Sequence, residues 1–344
     1  MTTLPETKVL DDAPSLRDRL GSALFRQEGV LILIGIIALV VLAFGSENFL
    51  TVDNLLNQTR FLAEIGLIAL PMTYIIITGG IDLSVGAIVG VSAIMLGVSW
   101  QNWGLPLELA IVVCILTGVL AGFVNGLFIV RVGVPPLIMT LATLAFYRGL
   151  AEGISESRSV RGYPDWFEQL GQGNFLGLPT QLWVLIVFAI VFAIVLARTT
   201  FGRSLYAIGN NELGARFSGI PVGRNKIIIY SLSGLMAGIA AWIFVSRTTT
   251  TRSDYGSGWE LDVIAAVVLG GTSIFGGTGT IIGTMLGIVL IQILKNGLAL
   301  TGVTSDATIV VIGSVLILSI LINNYAGSLF GALTRRLRQT QQNT

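Results

Sequence analysis

Ten long apolar stretches constrain the fold of this chain more than any other feature of its sequence. Each is 16 to 24 residues long, and they lie at 29–45, 61–78, 81–99, 107–130, 136–153, 181–197, 226–246, 260–275, 279–299 and 307–323. A helix needs about 20 mostly apolar residues to cross a bilayer. The stretches are continuous rather than alternating, which disfavours membrane β-strands. The sequence therefore predicts an all-α, polytopic membrane bundle of about ten transmembrane helices.

The three weakest of these stretches each carry a charged residue, which is costly inside a membrane. They are 81–99 with Asp82, 136–153 with Arg148 and 260–275 with Asp262. We expect these three segments to be broken or re-entrant. Two Gly-Gly segments, 79–86 and 270–277, also interrupt the apolar pattern. They suggest a weak internal repeat, as in transporters that contain interrupted helices.

The composition excludes several classes of protein. Only 11% of the 344 residues are charged, whereas a soluble domain has about 25%. The absence of His and the single Cys exclude histidine-dependent triads, histidine metal sites and an intrachain disulfide. The net charge of +1 provides no basic surface for nucleic acid. No Lys follows a Gly, so the chain lacks a P-loop for nucleotide phosphates. We therefore predict neither an enzyme, nor a metal site, nor a nucleic-acid partner.

The distribution of basic residues predicts an orientation, because cytoplasmic segments carry an excess of Lys and Arg. With both termini in the cytoplasm, 13 of the 20 basic residues fall inside and seven outside. The connection 198–225 then faces the cytoplasm, and the connection 154–180 faces outward. We expect a cytoplasmic N-terminal tail at 1–28, a transmembrane domain at 29–325 and a cytoplasmic C-terminal tail at 326–344.

Two runs of glycine repeat every four residues and predict close helix packing, since small residues let membrane helices approach each other. They are Gly118, Gly122 and Gly126, and Gly279, Gly283 and Gly287. The alternative is that glycine is simply common in membrane helices. The spacing does not decide whether each contact lies within one chain or between two chains.

Several polar residues lie in or beside apolar stretches, where a functional role is the first hypothesis. The candidates for lining a path through the membrane are Asp82, Ser84, Asn125, Thr140 and Asn296. Asp82 has a competing interpretation as the N-cap of the third span. The hydrogen-bonding side chains face either a wet path or a neighbouring helix. Glu64 is expected at the membrane interface.

The connection 198–225 contains the signals of a short exposed helix at 211–218. Asn211 can cap its N-terminus, Glu212 lies in its first turn, and Gly219 can end it. A short helix with small and apolar residues on one face is suited to docking into a groove of a partner. The alternative is an ordinary solvated connection.

Five stretches together resemble the permease subunits of bacterial carbohydrate-uptake ABC transporters of the ribose type, a group that also imports xylose, arabinose, rhamnose and autoinducer-2. They are TGGIDLSVGAIVG at 78–90, AGFVNGLFIVRVGVPPLIMTLATL at 121–144, GRSLYAIGNNELGARFSGIPV at 202–222, ELDVIAAVVLGGTSIFGGTGTIIGT at 260–284 and KNGLALTGV at 295–303. They span most of the chain in family order, and together they are specific.

The resemblance implies a permease subunit of a binding-protein-dependent importer for a sugar or sugar-like molecule, in the bacterial cytoplasmic (inner) membrane. The implied partners are cytoplasmic ATP-binding subunits that hold ATP and Mg, a periplasmic or extracellular sugar-binding protein, a second permease copy or a sister permease, and membrane lipid. No cofactor is expected on this chain. The connection 198–225 resembles the family's coupling loop to the ATPase, and the residues that carry this role are Asn211, Glu212, Ala215, Arg216, Gly219 and Ile220.

Two residues depart from the family pattern. Gly214 stands where the family often has Ala, and Asp254 stands where many members have Pro. The loop around Asp254 and the segment 135–137 look closest to the rhamnose and autoinducer-2 branch. The alternatives are an ion-coupled secondary transporter acting alone, a nucleoside or branched-chain amino-acid permease of the same superfamily, and a membrane scaffold protein.

Overall fold

The computed structural model describes residues 27–156, 158–304, 306–315 and 317. The predicted tail at 326–344 and nearly all of the predicted tail at 1–28 lie outside the described residues. The helices, in chain order, are α1 (Gln27–Gly45), α2 (Val52–Ile77), α3 (Val85–Gln101), α4 (Leu107–Leu127, continued by a π-helical turn at Phe128–Val132), α5 (Pro136–Ser155), α6 (Asp165–Gln172), α7 (Thr180–Arg198), α8 (Thr200–Asn210), α9 (Glu212–Phe217), α10 (Val222–Thr248), α11 (Trp259–Leu269), α12 (Ile281–Leu300) and α13 (Asp306–Val315).

Four two-residue strands lie among the described connections. Strand β1 (Val160–Arg161) pairs antiparallel with β4 (Thr250–Thr251), and Val160 lies opposite Thr251. Strand β2 (Asn174–Phe175) pairs antiparallel with β3 (Leu178–Pro179). The first pair ties the connection after α5 to the connection after α10, on the same side of the bundle.

Each of the ten predicted apolar stretches contains a helix, in agreement with the predicted all-α membrane bundle. Six of the described helices are long and apolar enough to cross a membrane, namely α2, α4 with its π turn, α5, α7, α10 and α12. Helix α3, helix α13 and the apolar part of α1 are shorter. Helix α11 has only 11 residues.

The three stretches predicted to be broken or re-entrant differ from one another. The first is interrupted as expected, because α3 begins only at Val85. The last is also interrupted, because α11 ends at Leu269 and a loop follows. The middle stretch, 136–153, forms one continuous helix, α5, and the prediction that it is broken is wrong.

Proline marks the start of four long helices. Pro106, Pro135, Pro179 and Pro221 directly precede α4, α5, α7 and α10. Proline has no backbone N–H to donate to a preceding turn, so it fits the start of a helix, whereas in the interior it costs a hydrogen bond, as at Pro71 of α2. These residues therefore fix where the chain turns back into the bundle.

Helix α3 lies at the centre of the bundle, and nearly all of its residues are buried. Helices α4, α5 and α10 pack around it. The outward faces of α5 and α7 carry large exposed apolar side chains, as expected where a helix faces lipid. They include Leu137, Ile138, Leu141 and Phe146 on α5, and Val187, Ile190, Val191 and Ile194 on α7.

The first glycine run lies in the contact between α4 and α10. A Cβ at Gly118 would collide with the backbone of Gly234, and a Cβ at Gly122 would collide with the carbonyl of Tyr230. A Cβ at Gly126 would lie 2.9 Å from the Cα of Ile227. The structure therefore places this run within one chain, where the two backbones touch.

The second glycine run is shorter than predicted. Gly283 and Gly287 lie on α12, and a Cβ at either would collide with the backbone of α11, at Gly270 and Ala266 respectively. Gly279 differs from the prediction because it lies in the loop before α12, which begins at Ile281. The close helix contact thus involves two glycines of α12 rather than three.

Candidate functional site

The loop 78–84, between α2 and α3, carries a buried carboxylate. Asp82 is fully buried, and its Oδ1 accepts hydrogen bonds from the backbone N (3.0 Å) and the Oγ (2.7 Å) of Ser84. Its Oδ2 accepts a hydrogen bond from Ser233 Oγ of α10 at 3.0 Å. These three donors compensate for the loss of water around the carboxylate. Ser84 itself occupies the N-cap position of α3. Asp82 lies two residues earlier and closes the turn that leads into the helix, so it is not the N-cap.

Two more helices send a polar side chain to the same loop. Asn125 Nδ2 of α4 donates to Ser84 Oγ at 2.8 Å. Thr140 Oγ1 of α5 donates to the carbonyl of Ile81 at 3.2 Å and to that of Pro136 in its own helix at 3.0 Å. Both side chains are fully buried. Four of the five residues proposed to line a path therefore meet around one loop, together with Ser233, which was not among them.

The fifth candidate, Asn296, does not belong to this cluster. Its side-chain amide exchanges two hydrogen bonds with that of Asn54 on α2, at 2.9 and 3.0 Å. One turn away, Gln292 Nε2 donates to Gln58 Oε1 at 2.5 Å. The amides thus join α12 to the first half of α2, so Asn296 faces a neighbouring helix, which was one of the two alternatives for this side chain.

The two Gly-Gly segments lie side by side. The backbone N of Gly277 donates to the carbonyl of Ile77 at 2.9 Å, just before the loop that carries Asp82. A Cβ at Gly209 of α8 would collide with the same carbonyl. The ends of α2, α8 and the loop after α11 are therefore in direct backbone contact.

The connection from β4 to α11 folds back against α3. A Cβ at Gly90 of α3 would lie 2.9 Å from the carbonyl of Ser253, and one at Gly86 would collide with the carbonyl of Gly256. Arg148 of α5 donates through Nη1 to the carbonyls of Ser253 (2.6 Å) and Tyr255 (2.9 Å). Carbonyl oxygens of the connection before α11 thus accept hydrogen bonds from Arg148 and compensate for its loss of water. This explains why α5 is continuous despite its charged residue.

A buried ion pair joins α2 to α10. Arg247 Nε contacts Glu64 Oε1 at 2.7 Å, and Arg247 Nη2 contacts Glu64 Oε2 at 3.1 Å. The side chain of Glu64 is 1% exposed, and that of Arg247 is 15% exposed. The Arg247 guanidinium also lies over the rings of Phe61 and Phe244. Glu64 was expected at the interface, and the structure instead places it inside the protein with a specific partner.

The predicted helix at 211–218 is observed as α9, and Asn211 caps it. Asn211 Oδ1 accepts a hydrogen bond from the backbone N of Gly214 at 2.8 Å. Gly219, just after the helix, has a φ of +79°, a conformation that strongly favours glycine. The local signals in the sequence thus gave the cap and the stop correctly.

The two faces of α9 differ in exposure. Ala215 is buried against Ile208 and Val222, and Ile220 packs on the same small cluster. Both residues hold α9 to the rest of the chain; Ala215 is buried away from any partner, and Ile220 is partly buried. The exposed apolar side chains are instead Leu213 (64% exposed) and Phe217 (85% exposed). Leu213 and Phe217 were not predicted as exposed. Contacts with α8 and α10 determine which side of this short helix points outward, and the sequence of the helix does not contain that information.

Glu212 connects α9 to α10 through two ion pairs. Its Oε1 accepts from Arg216 Nη2 at 2.7 Å, and its Oε2 accepts from Lys226 Nζ at 2.6 Å. Burial opposes ionisation of the Glu212 carboxyl, but hydrogen bonds from Lys226 and Arg216 outweigh it and hold its pKa below the ordinary value. The carboxylate is therefore ionised at neutral pH and joins α9 to the first turn of α10.

Comparison with known proteins places the chain among membrane permeases. Residues 54–320 match the family described as the permease component of branched-chain amino acid transport systems. A ribose import permease of Bacillus subtilis is 40% identical over 289 residues, which cover 83% of this chain and 89% of the relative. An autoinducer 2 import system permease of Yersinia enterocolitica is 37% identical over 299 residues, which cover 85% of this chain and 90% of the relative. No solved structure gave a significant match.

Proposed function

The chain belongs to this permease family, and from that premise we propose that it is the membrane subunit of a binding-protein-dependent ABC importer for a sugar or sugar-like small molecule. The observation that carries the proposal is the 40% identity to a ribose import permease over 83% of the chain. The autoinducer 2 import permeases among its relatives support the same class of small, hydroxyl-rich substrate.

The proposed orientation places both termini and α9 on the cytoplasmic side of the inner membrane. Helix α7 alone separates the connection 156–179 from the connection 199–221, and its 19 residues span about 28 Å. The two connections therefore lie at opposite ends of the bundle. The segment 198–226, which includes the second connection and its flanks, holds five basic residues, whereas the first connection holds two, as the positive-inside rule expects if the second is cytoplasmic.

Coupling to ATP hydrolysis is proposed to pass through α9. ATP and Mg would be bound by separate cytoplasmic subunits, onto which α9 docks with Leu213 and Phe217. A displacement of α9 moves α10, because Glu212 holds Lys226 at 2.6 Å. Ser233 lies seven residues further along α10, about 10 Å away, and holds Asp82. The same helix thus connects the docking segment to the buried carboxylate.

The loop 78–84 is the proposed moving part of the path. Asp82, Ser84, Asn125 and Thr140 are buried and hydrogen-bonded to one another or to this loop. When α10 carries Ser233 away, Asp82 and the side chains around it become available to hydroxyl groups of a sugar. Asn296, which pairs with Asn54, is a weaker candidate for the path.

The remaining partners are proposed from the exposed surfaces. The outer end, with the connection 156–179 and the first strand pair, would receive the sugar-binding protein. Helix α5 carries Gly149 and Gly153 with open space above both, and its apolar face would contact a second permease copy or a sister permease. Lipid would cover the rest of the apolar surface.

The proposal is tested by reconstituting the permease with its co-purified ATPase and binding protein, and by identifying the ligand of that binding protein. ATP-dependent uptake of a labelled sugar is expected in vesicles that contain the whole complex. Uptake by the purified chain alone, driven by an ion gradient, would instead show a secondary transporter. Uptake of a nucleoside or a branched-chain amino acid in preference to sugars would assign the chain to that branch.

A further inference from the structure

The turn between α11 and α12 exposes an aromatic side chain that the proposed coupling through α9 does not use. Phe275 is 94% exposed, and its neighbour Ile274 is 44% exposed. Most of the exposed large apolar side chains among the described residues lie on the long helices, but this one stands at the tip of a loop. An isolated, fully exposed aromatic side chain on a fixed loop has the character of a binding anchor.

Hydrogen bonds within the turn fix its shape. The backbone N of Gly276 donates to the carbonyl of Ser273 at 2.9 Å, and the N of Ser273 donates to the carbonyl of Thr278 at 3.1 Å. The N of Phe275 donates to Ser273 Oγ at 3.3 Å. Gly276 and Gly277 have φ values of +88° and +81°, so the bend requires these two glycines. Phe275 is thus presented by an ordered turn, which lowers the entropy cost of binding.

Contacts with α2 and α8 place this turn next to α9. Gly277 donates to the carbonyl of Ile77, and Tyr206 Oη of α8 donates to the carbonyl of Gly279 at 2.8 Å. A Cβ at Gly277 would lie 2.6 Å from Oδ1 of Asn210, the last residue of α8. Asn211, the cap of α9, follows directly. Phe275 therefore lies two residues, and Leu213 three residues, from the contact between Gly277 and Asn210.

Three exposed apolar side chains consequently share the end of the bundle that carries α9. They are Leu213, Phe217 and Phe275. The charged pair of Glu212 and Arg216 lies on the same helix. A few apolar anchors surrounded by polar groups are typical of a protein interface. A charged pair is costly on a surface that lies in the hydrocarbon core of a membrane.

We propose that Phe275 is a second anchor for the ATPase subunit, and that it enters an apolar pocket beside the groove that receives α9. This inference rests on the proposed function, which supplies the ATPase as the partner. Its physical basis is the backbone contact between the turn and the end of α8, which leads directly into α9. The turn also contacts α2, because the backbone N of Gly277 donates to the carbonyl of Ile77 at 2.9 Å. An ATPase that moves Phe275 thereby acts directly on α2 and on the loop with Asp82, independently of α10.

The test uses thiol labelling of the whole permease in lipid nanodiscs. Cys114 is the only cysteine of the chain and is fully buried, so Phe275→Cys provides one accessible thiol. We expect a polar maleimide to label it rapidly without the ATPase and at least about tenfold more slowly with saturating ATPase, as for a buried interface position. Leu213→Cys serves as the reference for the α9 contact. Phe175→Cys, at the opposite end and 58% exposed, is the control whose labelling should not change.

The outcomes separate this inference from the function on which it rests. Protection at Leu213 without protection at Phe275 overturns the second anchor and leaves the importer intact. Protection at neither position counts against both. A thiol at position 275 that stays unreactive without the ATPase lies in lipid, which also overturns the inference.

In the assembled complex, Phe275→Ala should weaken ATPase binding by about tenfold, whereas Phe175→Ala should leave it unchanged. An unchanged affinity for Phe275→Ala overturns the proposal.

Discussion

Ser233 donates a hydrogen bond to the carboxylate of Asp82 at 3.0 Å, across 151 residues of chain. The two residues belong to α10 and to the loop before α3, and both are fully buried. Asp82 receives its other two hydrogen bonds from Ser84, within the same loop. The bond from Ser233 is therefore the one donor to Asp82, among the described contacts of its carboxylate, that depends on the position of another helix.

Ser233→Ala should destabilise the permease because it leaves Asp82 Oδ2 buried without a donor. The expected loss in the free energy of unfolding is about 1–3 kcal/mol. The matched control is Ser231→Ala on the same helix, since Ser231 Oγ donates only to the carbonyl of Ile227, one turn earlier in that helix. Thermal unfolding of the purified permease measures both. Equal melting temperatures for the two variants would show that the bond to Asp82 contributes nothing.

Gly122→Ala should also destabilise the fold, since the new Cβ would meet the carbonyl of Tyr230 where α4 and α10 touch. Overpacking of this kind costs about 1–3 kcal/mol. Gly35→Ala in α1 is the control, because among the described residues no atom outside the helix's own nearby backbone lies within 4 Å of a Cβ built there. Its better helix propensity should leave stability unchanged or slightly higher. A destabilisation of the same size in both variants would contradict an effect of the α4–α10 contact.

The positions of the helices were largely predictable from the sequence, because a membrane helix is recognised by one continuous apolar run. The ends of α9 were predictable because caps are local signals: Asn211 and Gly219 act on neighbouring residues. Arg148 shows where this reasoning fails. Its charge predicted a broken helix, but carbonyls more than 100 residues away in the sequence accept its hydrogen bonds. Local pattern contains no information about such acceptors.

The candidate site was predictable in part. A polar residue within an apolar stretch is recognisable from the sequence alone, so Asp82, Asn125 and Thr140 were predicted as candidates. Which of these side chains meet was not predictable, because Asn125 and Asn296 have the same chemistry and the same apolar surroundings. Only the packing of α4 beside α3, and of α12 beside α2, sends one to the loop with Asp82 and the other to Asn54.

Glu64→Gln should be strongly destabilising, because it leaves the guanidinium of Arg247 partly buried without its counter-charge. Breaking a buried ion pair costs about 3–5 kcal/mol. The control is Asp254→Asn, which breaks a pair with Arg252 whose two side chains are each 56% exposed. The expected effect there is about 0–1 kcal/mol. Chemical denaturation of the purified permease measures both.

Replacing both partners of the buried pair separates its charge from its shape. Glu64→Leu combined with Arg247→Met should recover most of the stability lost in Glu64→Gln, because no unpaired charge remains. If the double variant is instead less stable than the single one, the stacking of Arg247 on Phe61 and Phe244 contributes more than the ion pair does.

Glu212→Gln should reduce coupling while leaving the fold intact, because it weakens the contact between α9 and Lys226 at the surface of the molecule. In the reconstituted complex we expect fewer substrate molecules transported per ATP hydrolysed, with an unchanged melting temperature. Glu156→Gln, which removes an exposed ion pair with Arg158, is the control. An unchanged ratio of transport to ATP hydrolysis in Glu212→Gln would contradict a role of this contact in coupling.

The Glu212 contact should also have a defined dependence on pH. Hydrogen bonds from Lys226 and Arg216 hold the pKa of Glu212 below its ordinary value of 4.5. The stabilisation is therefore complete above that value, and it is lost as the pH falls through the lower pKa of the folded protein. Hydrogen exchange of residues 212–217, corrected for the intrinsic effect of pH, should stay constant from neutral pH down to 4.5 and accelerate only below it. In Glu212→Gln the same residues should exchange faster than in the wild type at neutral pH and show no such transition, because the side chain at position 212 no longer titrates. A wild-type transition above 4.5 would mean that burial, which raises the pKa, outweighs the two cations.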